Sequence, residues 1–415
     1  MMAKSGIVCF LSSEWSHYHR PGLLRAVARA SSGQHPVLVI DNPVCLATSR
    51  WQRPQRWHRW RERAHGSTRL SPVADNLFLL DTAVALHDKL AVLGRGWINR
   101  RMLSAQVQMA MRELDISRPL VAWFQYPTQQ HYVGMLNEEL SLYECYDEHS
   151  DVPGLSGFGR RRMVVLEQLL MQACGSVVTT SKPLFEARSA QHSNVALIYN
   201  GADLDLFAPV GEDSLRRVTE RCSQPPTIGY LGTMHQHTDL AMLAEVVRRR
   251  PGWCFVLIGP VQAGADETSL AALRGFSNVE MHGWVDDADL VALLCRFDVG
   301  VIPYRSDARF NRFVNPNKLH EYTAMGKPVV ASPGLDMSSH GDMVTVARGA
   351  DEFIAAVEAV HAQNTVRKVE GRLRTAAANS WDARARLLLQ QIARTLDRSD
   401  AAVAVSASEA VRPRA

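Results

Sequence analysis

Residues 315–332, NPNKLHEYTAMGKPVVAS, join a helix to a strand in a way that sets the fold class. Lys318, Glu321 and Tyr322 fall within about one helical turn, so their side chains can converge on one ligand where the first turn's unpaired N–H groups favour anions. Gly326, Lys327 and Pro328 stop that helix, and residues 329–331, Val-Val-Ala, read as a short buried strand. A helix that faces a phosphorylated ligand and feeds a buried strand is one unit of an alternating α/β fold.

The same alternation extends in both directions. Residues 6–11 (GIVCFL) and 37–40 (VLVI) flank a helical stretch at 21–30, a β-α-β opening, and further strands are expected at 77–80, 120–124, 142–145, 176–179 and 195–198. After a polar, Pro-containing stretch at 209–226 a second series begins, with strands at 227–230, 254–258, 279–282, 299–303, 329–331 and 343–346. The expectation is an α/β protein of two Rossmann-like doubly wound domains facing a cleft. The first covers residues 1–205, the second 206–380, a helix at 381–397 returns to the first, and the Ala/Ser-rich residues 398–415 form a disordered tail.

The 415 residues carry a formal charge of only +4, which excludes a general nucleic-acid binder. No apolar run is long enough to span a membrane, and the start lacks a secretory apolar core, so the expected location is cytoplasmic. Seven scattered cysteines without a CxxC pair argue against both a disulfide framework and a zinc site.

Several segments together resemble the donor domain of a GT-B glycosyltransferase, in the broad group that includes family 4 and the xanthan-type glucuronosyltransferases. They are NGADLDLF (200–207), IGYLGTMH (228–235), RPGWCFVLIGP (250–260), NVEMHGWV (278–285), FDVGVIPY (297–304) and the 315–332 segment, in the expected order. The resemblance implies a nucleotide diphosphate sugar, uridine-linked, as donor, with Lys318 on the diphosphate and Glu321 on the ribose hydroxyls, and no metal. Asn317 joins them at the helix start. A bland alternative for Lys318 and Glu321 is an exposed i,i+3 pair. Gly232 and Thr233 belong to a glycine turn whose backbone can approach a ligand, or to a tight turn without one. Tyr304 stacks on the base or simply ends a strand. Two departures stand out: His235, His237 and Thr238 occupy the turn where the family often has Arg and Lys, and Phe313 stands eight residues before Glu321, where the family 4 pattern has its first acid.

In the first domain, WFQYP (123–127) and LYECYDEHSDVPG (142–154) resemble segments of bacterial polysaccharide glycosyltransferases. A carboxylate just past a strand faces the crevice of such a fold, so Asp147 is the candidate base for an acceptor hydroxyl, with Glu148 as rival and a helix cap as the structural alternative. His17, His19 and Arg20 replace the glycines of a dinucleotide fingerprint and fit acceptor recognition. The run 50–63, RWQRPQRWHRWRER, interleaves Arg53, Arg56, Trp57 and Trp60, which suits the inner-membrane surface, an ordinary solvated face, or, least, single-stranded nucleic acid. Arg95, Trp97, Arg100 and Arg101 form a second patch.

The expected activity is metal-independent transfer of a sugar to a lipid-linked or polysaccharide acceptor, by a protein peripheral on the cytoplasmic membrane face. A nucleotide-sugar epimerase of the same fold, or a silent nucleotide-sugar-binding scaffold, remains the alternative.

Overall fold

The central apolar runs, such as residues 6–10, 37–40, 120–124 and 299–302, become strands buried on both faces, as the interior of a parallel sheet requires. The computed structural model describes residues 6–31, 36–49, 57, 61, 69–86, 96–152, 154–220 and 225–410. The chain divides into two units. Unit 1 comprises Met1–Thr180, Leu184–Ile198 and Ala385–Ala415, and unit 2 comprises Ser181–Pro183 and Tyr199–Arg384.

Unit 1 is built on β1 (Gly6–Phe10), β2 (Val37–Ile40), β4 (Leu70–Ala74), β5 (Leu77–Leu80), β7 (Leu120–Phe124), β8 (Leu140–Cys145), β9 (Ser176–Thr179) and β10 (Val195–Leu197). Their order is β10-β9-β8-β7-β1-β2-β5-β4, parallel except for β4, which pairs antiparallel with β5. The order reverses between β1 and β7, so the loops that follow these strands open at a topological switch point. Helices α1 (Pro21–Ala30), α2 (Gly96–Glu113), α3 (Gly157–Ala173) and α4 (Lys182–Ser189) follow in the chain. A separate parallel pair, β3 (Val44–Cys45) and β6 (Ala83–Val84), was not expected from sequence, and neither was β4.

Unit 2 holds six parallel strands in the order β13-β12-β11-β14-β15-β16. They are β11 (Thr227–Leu231), β12 (Cys254–Ile258), β13 (Val279–His282), β14 (Val299–Ile302), β15 (Val329–Ala331) and β16 (Val344–Val346). Alternate residues of one strand feed opposite cores: Phe255 and Leu257 join one cluster, Val256 and Ile258 the other. The covering helices are α5 (Leu204–Glu220), α6 (Leu240–Arg249), α7 (Glu267–Gly275), α8 (Asp287–Cys295), α9 (Asn317–Ala324), α10 (Gly349–Ala362) and α11 (Val366–Ala378).

Three boundaries differ from the sequence reading. The second unit begins at Tyr199 rather than at 206, and the stretch from Pro209, read as a polar linker, lies in α5 as far as Glu220. Asp203 caps that helix, accepting from the Asp205 and Leu206 N–H groups at 3.2 and 3.3 Å, and burial of Phe207 and Val210 outweighs the hydrogen bond Pro209 removes. The last helix, α12 (Trp381–Ala410), returns to unit 1 from Ala385, where Gln391 Nε2 donates to Ser176 Oγ and Asn194 Oδ1, each at 2.9 Å. Residues 398–410 are therefore helical rather than a disordered tail, as an alanine-rich run without Gly or Pro favours.

Close packing in unit 2 is sharpest at Gly229, where a Cβ would overlap the ring of the fully buried Phe297. Gly229→Ala is expected to destabilise by about 3 kcal/mol, the upper end for overpacking a core. Gly252→Ala, where a Cβ meets nothing within 4 Å, should change stability by less than about 0.5 kcal/mol. Denaturant melts of the two variants check the contrast.

Candidate functional site

In unit 2 the carboxyl ends of β11 and β12 present nearly bare backbone. Gly232 has φ +122° and Gly259 φ +132°, and a Cβ on Gly259 would strike the Gly232 carbonyl oxygen. The ammonium of Lys318 hangs above this floor. A Cβ at Gly232 would lie 2.8 Å from Lys318 Nζ, which donates to Tyr304 Oη at 2.8 Å and sits 5.1 Å from the centroids of both the Tyr230 and Tyr304 rings. The lysine is thus held by aromatic faces and one hydroxyl, and forms no ion pair with Glu321. The exposed Lys–Glu pair is not what the chain builds.

The Glu321 carboxylate, one turn on, makes no hydrogen bond among the described residues. Burial pushes its carboxyl up to about 7, against a downward pull from Lys318. Asn317 stands half-buried in the first turn of α9, and the half-buried Thr233 accepts from Tyr230 Oη through its carbonyl at 2.7 Å. The start of α9 is fixed from behind: His320 Nε2 meets Asn315 Oδ1 at 2.7 Å, and Asn315 Nδ2 donates to the Asp336 carbonyl at 2.8 Å. Burial, Lys318 and His237 hold His235 down to about 3, so it is neutral at pH 7 and adds no charge to the lysine's.

Two sequence expectations need correction here. Tyr322 does not turn to the ligand; its hydroxyl accepts from the Leu231 N–H at 2.8 Å inside the core, and a Cβ on Gly300 would lie 2.5 Å from its ring. Tyr304 is 7% exposed and packs on Lys318 and His235, so its ring is no open platform for a base. An exposed aromatic past the carboxyl end of this sheet is Trp284, 82% accessible just after β13, which the sequence reading passed over within HGWV.

In unit 1 the residues after β8 divide their labour. Asp147 is half-buried and its carboxylate makes no hydrogen bond among the described residues. Burial raises it to about 7, with Arg20 lowering and Glu148 raising it further. Glu148 is instead committed to structure: it accepts from Ser150 Oγ at 2.7 Å and from Arg188 Nη2 at 3.0 Å, and Arg188 also pairs with Glu167. Arg20, expected on the acceptor side, is 2% exposed and ion-paired to Glu144 at 2.6 Å, while Glu144 also accepts from Trp123 and Gln125. Its guanidinium reaches Asp147 through charge rather than contact with an acceptor. His17 is exposed beside Ser16, and the exposed His19 lies 5.3 Å, ring to ring, from Tyr146.

A cavity of about 230 Å³ opens beside these groups at the carboxyl ends of β1, β2 and β7. Ser12, Asp41, Asn42, Thr48, Ser49 and Thr128 supply its polar lining. Tyr146 Oη donates to Ser12 Oγ at 2.8 Å, which ties the wall of the cavity to the residue preceding Asp147. Of the Arg/Trp run, Arg53, Arg56 and Trp60 lie outside the described residues, and Trp57 is half-buried in a helical conformation. In the second patch Trp97 is exposed, but Arg100 is spent on the His131 and Val133 carbonyls at 3.0 and 2.9 Å; Arg95 is outside the described residues. No group of three His, Cys, Asp or Glu side chains among the described residues is arranged to hold a metal ion.

This geometry has parallels. The family described as Glycosyl transferases group 1 matches residues 225–363. TuaH of Bacillus subtilis (strain 168), named for teichuronic acid biosynthesis glycosyltransferase, is 26% identical over 255 residues, covering 58% of this chain and 64% of TuaH, a little under two thirds of its length. Among solved structures, sucrose-phosphate synthase from Thermosynechococcus elongatus superimposes with a TM-score of 0.66 at 16% identity, over 95% of this chain and 100% of that one. HepE of Anabaena, solved in complex with UDP and glucose, gives 0.61 at 16% identity over 95% and 100%. The xanthan-type subgroup is not singled out by these likenesses. With the two sheet orders and the group 1 match inside unit 2, the chain has the two-domain α/β fold of these glycosyltransferase structures, GT-B, and carries a segment similar to the group 1 glycosyl transferases.

Proposed function

We propose that this chain moves a glycosyl unit from a nucleotide diphosphate donor, uridine-linked, to a lipid-linked or saccharide acceptor of a cell-surface polysaccharide, at the cytoplasmic membrane face. The observation that carries the reading is Lys318, whose ammonium stands over the side-chain-free turn at Gly232 with the unpartnered Glu321 carboxylate one turn away. A diphosphate laid on that turn meets backbone and a cation together, and a carboxylate accepts both hydroxyls of a ribose. Trp284 offers an open ring face to the nucleobase. On unit 1, Asp147 takes the proton of the acceptor hydroxyl as it attacks the anomeric carbon, and the departing diphosphate is stabilised by Lys318 and the first-turn N–H groups of α9. TuaH's name and HepE's bound UDP support the substrate class.

A thermal-shift series with nucleotide sugars in EDTA tests this. Donor at about a hundred times its dissociation constant adds about 2.7 kcal/mol of stability, with uridine-linked donors shifting most and EDTA changing nothing. Trp284→Ala should weaken binding by about tenfold or more, the usual loss for one stacked base. Absence of any nucleotide-dependent shift would sink the reading; binding with sugar release or isomerisation and no transfer would favour an epimerase, and binding without turnover a scaffold.

A further inference from the structure

The cavity of unit 1 is lined by polar side chains that the fold itself leaves unused. Asn42, Thr48, Ser49 and Thr128 line it, and none of these four side chains makes a hydrogen bond among the described residues. Ser49 is only 7% exposed, so its hydroxyl has little bulk water to turn to. Buried polar groups ordinarily find partners, and four together in one cavity call for partners from outside the chain, a ligand or water.

The lining narrows the ligand by shape, polarity and charge. Much of the remaining wall is apolar, with Phe10, Ile40, Leu103 and Tyr132 all buried. A sugar ring matches that division: its C–H faces suit the apolar wall, and its hydroxyls, each both donor and acceptor, suit one amide and three hydroxyls. The volume of about 230 Å³ lies below the roughly 300–1,000 Å³ of pockets for drug-sized ligands, which suits a single ring. Among the described lining residues there is no Lys or Arg, so a phosphate or a uronate carboxylate would lose its water without gaining a counter-charge.

We propose that this cavity binds one uncharged sugar ring, oriented by Asn42, Thr48, Ser49 and Thr128, as the terminal unit of the acceptor. The acceptor role rests on the transferase reading; the binding of a neutral sugar does not. Two contacts tie the cavity to the candidate base. Ser12 of the lining accepts from Tyr146, the residue before Asp147, and the rings of Tyr126, also of the lining, and Tyr146 each lie 5.0 Å from that of the buried His149. An acceptor held in this way already ends in a neutral sugar, so an earlier glycosyl transfer must have placed it.

Saturation-transfer NMR of the full chain, without nucleotide, tests it with methyl glycosides of neutral hexoses and N-acetylhexosamines, a methyl glucuronide and a hexose 6-phosphate. A neutral glycoside should bind, and the two anionic sugars should bind more than about tenfold more weakly. Asn42→Ala with Thr128→Ala should weaken the neutral glycoside about thirtyfold, roughly a factor of five for each neutral hydrogen bond lost. The melting temperature of that variant should match wild type, because neither side chain bonds within the fold. A chain that binds no neutral glycoside holds only water in this cavity, which overturns the proposal. So does a chain that takes the anionic sugars equally well, or a double variant that binds as wild type. Supplied with a donor, the bound glycoside should be extended by one sugar; binding at these residues without extension would assign the cavity to a free sugar instead of the acceptor's end. Glycoside binding without any nucleotide-dependent thermal shift would leave the sugar site standing and remove the transferase reading, and a nucleotide shift without glycoside binding would do the reverse.

Discussion

Asp147→Asn should lower transfer by about 10²- to 10⁴-fold, the usual contribution of a positioned general base, while leaving donor binding and the fold intact. The amide keeps the volume but cannot take a proton. The wild-type pH profile should show kcat rising through pH 7, because burial holds the Asp147 carboxyl at about 7 and only the ionised form is a base. The same shift sets the sign of a stability effect. The native chain keeps the Asp147 proton up to about pH 7, whereas an unfolded aspartate loses it near pH 4, so between those values the unfolded state binds fewer protons and stability falls as pH rises. Asp147→Asn removes that loss. Its melting temperature relative to wild type should therefore be higher at pH 8 than at pH 5. A variant that retains full transfer, or a gain in stability that is largest at low pH, would rule out this assignment. Glu148→Gln separates the two neighbours: it should act on stability through the Arg188 network and, by removing a charge that raises Asp147, move the kcat profile to lower pH without abolishing transfer.

How far the sequence carries this picture depends on the kind of signal. The central strands of both sheets announce themselves as continuous apolar runs, since burial on both faces leaves no place for polar alternation. Strand β4, LSPVA, hides because it is a half-exposed edge strand with a proline, although Asp75-Asn76, with φ +59° at Asn76, is a hairpin turn signal that would have found it. Lys318 and Glu321 are readable from spacing along one helix. The fates of Tyr322 and Arg20 are not, because each is decided by partners far along the chain: Leu231 for the tyrosine and Glu144 for the arginine. Asp147 and Glu148 look interchangeable as a dipeptide, and only Arg188, forty residues later, distinguishes them.

Lys318→Ala should raise the dissociation constant of a nucleotide diphosphate sugar by about ten- to a hundredfold, as expected for losing a hydrogen bond to a charged group worth about 1.5–3 kcal/mol. Lys318→Arg should not restore it. The ammonium fits as a compact point over Gly232, between the Tyr230 and Tyr304 rings, and a planar guanidinium fork has no room to lie there. With Lys318 proposed on the diphosphate and Glu321 on the ribose, their loss should differ with pH. Burial holds Glu321 at about 7, so its hold on the ribose strengthens as pH rises through that value, and donor affinity in the wild type should climb between pH 6 and 8. The climb should persist in Lys318→Ala and vanish in Glu321→Gln. Asp147 titrates over the same range but acts on the acceptor proton, so Asp147→Asn should flatten the kcat profile and leave the pH dependence of donor affinity unchanged. Isothermal titration with a sugar-capped diphosphate, which has no proton of its own to lose in that range, reads the affinity term alone. If affinity stays constant from pH 6 to 8 in the wild type, Glu321 does not hold the donor, and if Lys318→Ala binds as tightly as wild type, the diphosphate does not rest on the Gly232 turn.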